Sequence, residues 1–421
     1  MAKVTVEIER LMAELTTLAA ISEAEPPVVT RVVFGEADLR ARAYVKELCR
    51  EAGLAVREDA VGNTFARWDV PEAETGAADG SEPAPVATGS HIDAIPNAGA
   101  YDGVVGVLGG LEAIRALQRA GFQPRRPIEL VIFTSEEPTR FGIGCLGSRM
   151  MGGGMTPERA AELRDKEGRG LDELRALAGF SGGLESVRLA QGYFHAFVEL
   201  HIEQGPLLER EGIDVGIVTA IAAPASLKIL IEGEGGHAGA MLMPDRHDAL
   251  AAAAELILAL EEAAKSTGAI DTVGTVGVCE VFPGAVNSVP SRVRLETDIR
   301  DIDGERRDGV LAKLKSVAEE VAERRGLRIG FETVNADPPA ACDAAVLEAV
   351  QGAVEAAGKS GKWMVSRAYH DSLFVARIAP VAMIFTPCRG GVSHRPDEYA
   401  SPEWIANGVE VLAGTLERLA K

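Results

Sequence analysis

The segment GSHIDAIPNAGAYDG, residues 89–103, places one imidazole and two carboxylates on a stretch rich in small residues. These polar side chains are His91, Asp93 and Asp102. Gly, Ala, Pro and Ser favour irregular backbone that can turn tightly. A loop of this kind can bring side chains that are separated along the sequence to one point in space.

Further candidates for chemistry follow along the chain. Glu136 and Glu137 come at the end of an apolar run, the motif HIEQGP carries His201 and Glu203, and SHRPDEY carries His394. Taken singly, a histidine is more often a hydrogen-bonded structural residue, and paired glutamates after a strand are more often a solvated turn. Taken together, the crowded carboxylates would repel one another and resist ionisation unless a divalent cation lay among them.

The types of donor restrict the choice of cation. Three imidazoles with two or three carboxylates suit Zn²⁺, Mn²⁺, Co²⁺ or Ni²⁺ better than Ca²⁺ or Mg²⁺, which favour all-oxygen shells. The donors outnumber those of one tetrahedral site. The sequence therefore predicts two ions that share a bridging carboxylate.

Composition limits the class of protein. The chain has 421 residues, a formal net charge of −20 and 47% hydrophobic residues, which indicates a soluble globular protein with two domains or one large insertion. The negative charge argues against nucleic acid as a partner, because phosphate backbones bind basic surfaces. The five cysteines lie far apart without a CxxC pair, so buried free thiols and a cytoplasmic location are expected. The N-terminal residues predict neither a signal peptide nor a membrane helix.

Apolar periodicity predicts the elements that position the polar cluster. A strand, a helix and a strand are expected over residues 85–91, 103–121 and 127–137, with the polar side chains at the ends of the strands. In open α/β sheets, ligands bind beyond the carboxyl ends of the strands. An earlier helix and two strands are expected over 37–53, 54–59 and 63–70. The acid-, Pro- and Gly-rich segment 70–85 is expected to be a solvated excursion.

The middle of the chain follows a different order. From about residue 214 to 332 the predicted elements run βαββαβ, the split unit that forms a four-stranded antiparallel sheet with two helices on one face. The α/β pattern then resumes with a helix, a strand and a closing helix, at 343–358, 379–388 and 401–420. The sequence therefore predicts an α/β domain interrupted by a second, inserted domain.

Five motifs, in this order, resemble the amidase/hydantoinase/carbamoylase branch of the M20 metallopeptidase family. They are GSHIDAIPNAGAYDG, FTSEEPTRFGIGCLGSRMMGG, HIEQGPLLE, GEGGHAGAMLMPDRHDAL and CRGGVSHRPDEYAS. The resemblance implies a mixed-sheet α/β catalytic domain that binds two metal ions, formed by residues 1–213 and 333–421. It also implies a ferredoxin-like lid and dimerisation domain over 214–332, and hence a homodimer.

The resemblance assigns roles to the polar cluster. It implies five metal ligands: Asp102 bridging both ions, His91 and His201 on one ion, and Glu137 and His394 on the other. Glu136 is expected to be the general base, and Asp93 is expected to orient His91. Two divalent ions per subunit are implied, with Mn²⁺ favoured and Zn²⁺, Co²⁺ or Ni²⁺ left open.

Substrate contacts are implied by the same resemblance. His237, in GGHAG, is expected to reach a catalytic site and polarise the substrate carbonyl, although a surface histidine at a strand end is the alternative. Asn287 and Arg300 are expected to hold the substrate carboxylate, which the planar guanidinium of arginine pairs with in a bidentate manner. For Arg300 an ion pair with a neighbouring aspartate is the alternative. Gln204 is expected to bind the ureido group, which offers donors and an acceptor.

The segment SRAYHDSL distinguishes members of the branch. Allantoate amidohydrolases and L-carbamoylases typically carry Gly-His-Asp here, whereas this chain has Tyr369, His370 and Asp371, and EEPTRFG in place of EEGSRF. Both variants resemble the members that hydrolyse ureidoglycolate, with Tyr369 and His370 as substrate contacts. A structural role for Tyr369 is the alternative.

The resemblance thus implies a small anionic ureide as substrate and hydrolysis of ureidoglycolate to glyoxylate, ammonia and CO₂ in purine catabolism. Allantoate or N-carbamoyl-L-amino acid hydrolysis is the alternative within the branch. A dipeptidase is disfavoured by His201, where peptidases of the family usually carry an acid. A metal-free binding protein would require ligand loss that the motifs do not show.

Overall fold

The computed structural model describes residues 4–70 and 83–421, which divide into two compact units. The first unit combines Met1–Thr219, Ala341–Ser366 and His370–Lys421. The second combines Ala220–Ala340 with Arg367–Tyr369. Most of the expected excursion at 70–85 lies outside the described residues.

The first unit is built on a mixed nine-stranded sheet. Its strands are β2 (Ala55–Glu58), β3 (Thr64–Trp68), β4 (Val86–His91), β6 (Ile128–Phe133), β7 (Ala196–Ile202), β8 (Val215–Ile221), β15 (Ala340–Ala341), β16 (Gly361–Ser366) and β17 (Val381–Thr386). They lie in the order β15-β8-β17-β7-β4-β6-β3-β2, and β16 also pairs with β8. Strands β17, β7, β4 and β6 are mutually parallel, whereas β8, β3 and β2 are antiparallel to their neighbours. A separate antiparallel pair joins β1 (Val29–Arg31) and β5 (Ala94–Ala98).

Helices cover this sheet on both faces. They are α1 (Ile8–Ala19), α2 (Glu36–Glu51), α3 (Val104–Arg119), α4 (Leu146–Met151), α5 (Pro157–Ala161), α6 (Leu171–Leu177), α7 (Leu207–Glu211), α10 (Ala344–Ala357), α11 (Ser372–Val375) and α12 (Pro402–Leu419). On one face of the sheet, a core joins Leu108 of α3 and Leu412 of α12 to Val198 of β7. On the other face, a second core contains Phe133 of β6 and Phe197 of β7. The central parallel strands are buried on both faces, which explains why most of their residues are apolar or small.

The second unit has the element order βαββαβ expected from the sequence. It comprises β9 (Ala223–Glu232), α8 (Ala249–Ser266), β11 (Val273–Phe282), β13 (Arg292–Asp301), α9 (Gly304–Arg325) and β14 (Arg328–Ala336). The four strands form an antiparallel sheet in the order β11-β13-β9-β14, and a short pair joins β10 (Gly236–His237) to β12 (Ser288–Val289). Alternate residues of β13 are buried, and they pack with α8 and α9 in one core that includes Leu256, Leu295 and Leu314.

Several expectations are corrected by the structure. The strand expected over 127–137 ends at Phe133, because Ser135 has a left-handed backbone with φ 56° that breaks the strand before the glutamates. Of the five free cysteines, Cys49, Cys145 and Cys388 are buried, but Cys279 is exposed on β11, so the expectation of burial is wrong for that thiol. Within residues 4–70 and 83–421, none of the helices has the length and apolar character that crossing a bilayer requires.

Candidate metal centre

The predicted ligands lie at one edge of the parallel strands. β4 ends at His91, β7 carries His201 one residue before its end, and β6 ends shortly before Glu136 and Glu137. His394 lies in the loop that follows β17. Because these four strands are adjacent and parallel, their carboxyl ends meet, and the loops beyond them share one place.

Asp102 lies between two groups of donors. Its Oδ1 is 3.1 Å from Nε2 of His201 and 3.6 Å from Nε2 of His91. Its Oδ2 is 3.2 Å from Nε2 of His394, and that nitrogen is 3.3 Å from Oε1 of Glu137. Each of the two groups has donor atoms within 4.8 Å of one another. One carboxylate therefore offers a different oxygen to each of two adjacent cation sites.

Hydrogen bonds determine which nitrogen of two imidazoles is free. Nδ1 of His91 lies 3.1 Å from the carbonyl oxygen of Asp93, and Nδ1 of His201 lies 2.9 Å from the carbonyl oxygen of Ile202. A carbonyl only accepts, so Nδ1 carries the proton in each ring, and in the neutral ring Nε2 presents its lone pair. The Nε2 of His201 accepts the backbone N–H of Gly103 at 3.1 Å, as an unprotonated nitrogen does.

Burial and neighbouring charge perturb the acids and bases of the cluster. Burial would raise the pKa of Asp102, but the imidazoles of His201, His394 and His91, when protonated at Nε2, donate to its carboxylate and hold its pKa well below the usual value. Burial raises the pKa of Glu137 to about 7, and the charge of Asp102 adds to this. The hydrogen bond to Asp102 raises the pKa of His394 to about 9, against the effect of burial. The negative charge of the carboxylates in this cluster exceeds the positive charge of the imidazoles. A divalent cation would reduce the resulting repulsion between the carboxylates.

Glu136 is adjacent to the donor groups but belongs to neither of them. Its Oε2 is 3.7 Å from Nε2 of His91, and its Oε1 accepts from the thiol of Cys145 at 3.3 Å. Burial raises the pKa of Glu136 well above its usual value, and the charges of Glu137 and Asp371 add to this while His91 opposes it. A carboxylate with a raised pKa beside a cation site is suited to accept and return a proton.

Asp93 contacts His91 differently from the expectation. The backbone carbonyl of Asp93, and not its carboxylate, is the hydrogen-bond partner of Nδ1 of His91, since the nearest carboxylate oxygen is 3.7 Å away. The carboxylate instead accepts the backbone N–H groups of Glu136 and Glu137, each at 3.1 Å. Asp93 therefore connects the loop after β4 to the loop after β6.

Gln204 and His370 lie beside the cluster in the first unit. Nε2 of Gln204 donates to Oδ2 of Asp102 at 2.7 Å, and its Oε1 is buried without a hydrogen-bond partner among the described residues. The ring of His370 is in edge contact with that of His201, with centroids 4.7 Å apart, and its Nε2 is 2.8 Å from Oγ of Ser366. Gln204 thus keeps a free acceptor next to the expected bridging ligand.

The other predicted substrate contacts belong to the second unit. The side chain of His237 is exposed on the short β10, and its ladder partner is Ser288, next to Asn287. Arg300 donates to both carboxylate oxygens of Asp298, at 2.8 and 3.1 Å, which is the ion pair left open as the alternative for this residue. The hydroxyl of Tyr369 donates to Asp337 at 2.5 Å. The structure thus shows that Arg300 and Tyr369 each have a partner within their own unit.

Some polar residues near the ligands were not singled out from the sequence. Glu398 accepts three backbone N–H groups from the segments that carry Asp102 and His394, and its Oε2 lies 3.0 Å from Oγ of Ser393. Glu203, a candidate in the sequence, accepts the first backbone N–H groups of α7 and lies outside both donor groups. No signal in the sequence distinguishes Glu398 from Asp397, the other acid that follows His394 in the same motif.

Comparisons with known proteins identify the family of this chain. The family model described as Peptidase family M20/M25/M40 matches residues 87–418. The chain belongs to this peptidase family.

Similar M20-family proteins span nearly the whole chain. A ureidoglycolate hydrolase of Oryza sativa subsp. japonica is 52% identical over 99% of this chain and 85% of its own length. An N-carbamoyl-L-amino acid amidohydrolase of Geobacillus stearothermophilus is 40% identical over 98% of each chain. The crystal structure of AtUAH in complex with glyoxylate matches with a TM-score of 0.88 and 51% identity, over 100% of this chain and 99% of that one. The predicted M20-like α/β fold is thereby confirmed.

Proposed function

We propose that this M20-family chain is a metal-dependent amidohydrolase that cleaves ureidoglycolate to glyoxylate, ammonia and CO₂. The observation that supports it most is the pair of donor groups that share Asp102, in a chain 52% identical to a ureidoglycolate hydrolase. The AtUAH structure with glyoxylate bound, at 51% identity, supports the same product. Purine-ureide catabolism is the corresponding physiological role.

The donor set fits two divalent ions. Asp102, His91 and His201 would hold one ion, and Asp102, Glu137 and His394 would hold the other. Each group brings imidazole nitrogens close to carboxylate oxygens, and both are ligands that these ions accept. When bound, two such ions lower the pKa of a shared water from 15.7 toward about 7 and polarise the substrate carbonyl oxygen. We propose Mn²⁺ as the native ion, from the resemblance.

Glu136 performs the proton transfers in this proposal. Its buried carboxylate accepts a proton from the attacking water and returns it to the departing nitrogen, so that ammonia and not an amide anion leaves. The Cys145 thiol holds one oxygen of Glu136, which leaves Oε2 for the proton. The backbone of Glu136 is fixed by the carboxylate of Asp93.

Substrate recognition is proposed from the chemistry of the remaining residues. Gln204 has a buried, unpartnered Oε1 that can accept from the ureido NH₂. His237, Asn287 and Arg300 are proposed to bind the carbonyl and the carboxylate, as the family resemblance implies, and Tyr369 and His370 to select a small ureide. A homodimer, a lid role for the second unit and a cytoplasmic location are proposed on the same basis.

An ammonia-release assay tests the proposed substrate. The chelator-stripped protein is resupplied with Mn²⁺ and given ureidoglycolate, allantoate and several N-carbamoyl-L-amino acids. We expect kcat/KM to be highest for ureidoglycolate, with Glu136→Gln as the control for contaminating activity. A higher kcat/KM for allantoate or an N-carbamoyl amino acid would refute the substrate assignment. Fewer than one bound transition ion per chain would refute the metal assignment.

A further inference from the structure

Glu398 is a buried carboxylate with no role in the proposed reaction. It is 5% exposed and belongs to the loop that also carries His394. Its two oxygens accept hydrogen bonds from two different segments of the chain. Because each bond to a carboxylate is charge-assisted, this residue can hold the two segments more strongly than a neutral side chain would.

The two oxygens divide the segments between them. Oε1 accepts the backbone N–H groups of Tyr101 and Asp102, at 2.7 and 3.0 Å. Oε2 accepts the backbone N–H of His394 at 3.3 Å and lies 3.0 Å from Oγ of Ser393. The first segment carries one proposed ligand and the second carries another, although Asp102 and Glu398 are 296 residues apart in sequence.

Two further observations indicate that this arrangement is built into the loops. A Cβ at Gly99 would lie 2.4 Å from Cβ of Glu398, so the glycine allows the first loop to approach the carboxylate. His394 has a left-handed backbone with φ 59°, a conformation that a non-glycine residue keeps only when its surroundings hold it. The bond from its N–H to Glu398 is one such restraint.

Ser393 lies between Glu398 and the proposed bridging ligand, and its single hydroxyl hydrogen can donate to only one of the two carboxylates. Its Oγ is 2.5 Å from Oδ2 of Asp102 and 3.0 Å from Oε2 of Glu398. Gln204 donates to the same oxygen of Asp102. The carboxylate of Asp102 is thus held from its backbone by Glu398 and from its side chain by Ser393 and Gln204.

We propose that Glu398 is a positioning residue that sets the spacing of Asp102 and His394 before the ion they share is bound. This inference rests on the proposed assignment of those two residues as ligands. Glu398 is not itself a ligand in this proposal, because its oxygens accept the backbone N–H groups of Tyr101, Asp102 and His394. Removing partners of this kind typically weakens metal affinity about 10- to 100-fold.

Glu398→Gln separates the two halves of the arrangement. The amide keeps one accepting oxygen and replaces the other with an NH₂ group, which cannot accept from a backbone N–H or a hydroxyl. Only one segment can then be held. Glu203→Gln is the matched control, because Glu203 is 7% exposed and accepts Leu207 and Leu208 N–H groups, each at 2.9 Å, within a single helix start.

The experiment is calorimetric titration of Mn²⁺ into chelator-stripped full-length protein. We expect wild type to bind two ions, and Glu398→Gln to bind one of them about 10- to 100-fold more weakly. The weakened ion should be the one that His394→Ala loses. Glu203→Gln should bind that ion within a few-fold of wild type, and kcat of Glu398→Gln should recover at saturating Mn²⁺.

Each other outcome has a definite meaning. Two ions bound to Glu398→Gln with wild-type affinity, or equal weakening by Glu203→Gln, would overturn the positioning role while leaving the proposed function intact. Wild type that fails to bind two ions would overturn both. Should Glu398→Gln fail to fold, Ser393→Ala removes one bond of the arrangement, and unchanged affinity for the same ion in that variant would also overturn the proposal.

Discussion

Gly103 connects Asp102 to the first turn of α3, and its replacement tests the geometry of the centre. Its φ is 65°, and a Cβ built there would lie 2.4 Å from Nε2 of His91. That nitrogen is the one the proposed metal needs. Gly103→Ala should therefore strain the backbone and displace the His91 ring in one change.

Gly121 follows the other end of the same helix and provides a matched control. Its φ is 73°, and a Cβ there would meet no atom within 4 Å. Gly121→Ala should lower the free energy of unfolding by about 1–2 kcal/mol, the cost of a left-handed backbone with a Cβ. Gly103→Ala has a backbone cost at least as large, because its φ of 65° with ψ of −42° lies outside the left-handed helical region, and it adds overpacking against His91, which typically costs a further ~1–3 kcal/mol.

The assay is urea unfolding followed by circular dichroism, with chelator present so that metal does not contribute, together with Mn²⁺ titration of each variant. We expect the free energy of unfolding of Gly103→Ala to fall below that of Gly121→Ala by at least the overpacking difference. Only Gly103→Ala should lose affinity for the ion proposed to bind His91. Equal destabilisation of the two variants with wild-type metal binding would show that the Gly103 backbone does not constrain His91.

Three further predictions follow from the site. Glu136→Gln should keep both ions while kcat falls about 10²- to 10⁴-fold; equal loss of metal content and turnover, by elemental analysis and ammonia release, would contradict its role as base. Tyr369→Gly should shift the ratio of kcat/KM values toward allantoate, with Tyr369→Phe as control; an unchanged ratio would support the structural alternative. Without metal, Asp102 raises the pKa of His394 to about 9, so protonated His394 stabilises the folded state. Thermal stability should then fall from about pH 6.5 to 9, and a similar fall in His394→Gln would contradict this.

Most of the elements that carry the site could be predicted because their sequences are locally unambiguous. The strand ending at His91 and the α3 helix follow from apolar patterns that match their observed ranges closely. The βαββαβ order of the second unit was predictable for the same reason, since its strands alternate and its helices are long. The strands β7, β8 and β16 were not predicted, because they pair along a sheet whose order is set by distant segments.

The side-chain contacts within the site could be predicted less well. The motif indicated that Asp93 would contact His91. It did not indicate that the Asp93 carboxylate would accept the backbone N–H groups of Glu136 and Glu137. It also did not indicate Glu398, since nothing in a motif shows which of its acids turns inward. For Arg300 the ion pair with Asp298 was foreseeable as an alternative, because the two are neighbours on one face of a strand.

The amino-acid sequence alone determined which residue types were available for metal chemistry and which strands would end beside them. Periodicity and residue type are local properties, so they can be read from the sequence without knowledge of the fold. Only the tertiary structure decided that Asp102 turns one oxygen toward His91 and His201 and the other toward His394. That choice depends on parallel strand order and on bonds between segments hundreds of residues apart, which no local pattern encodes.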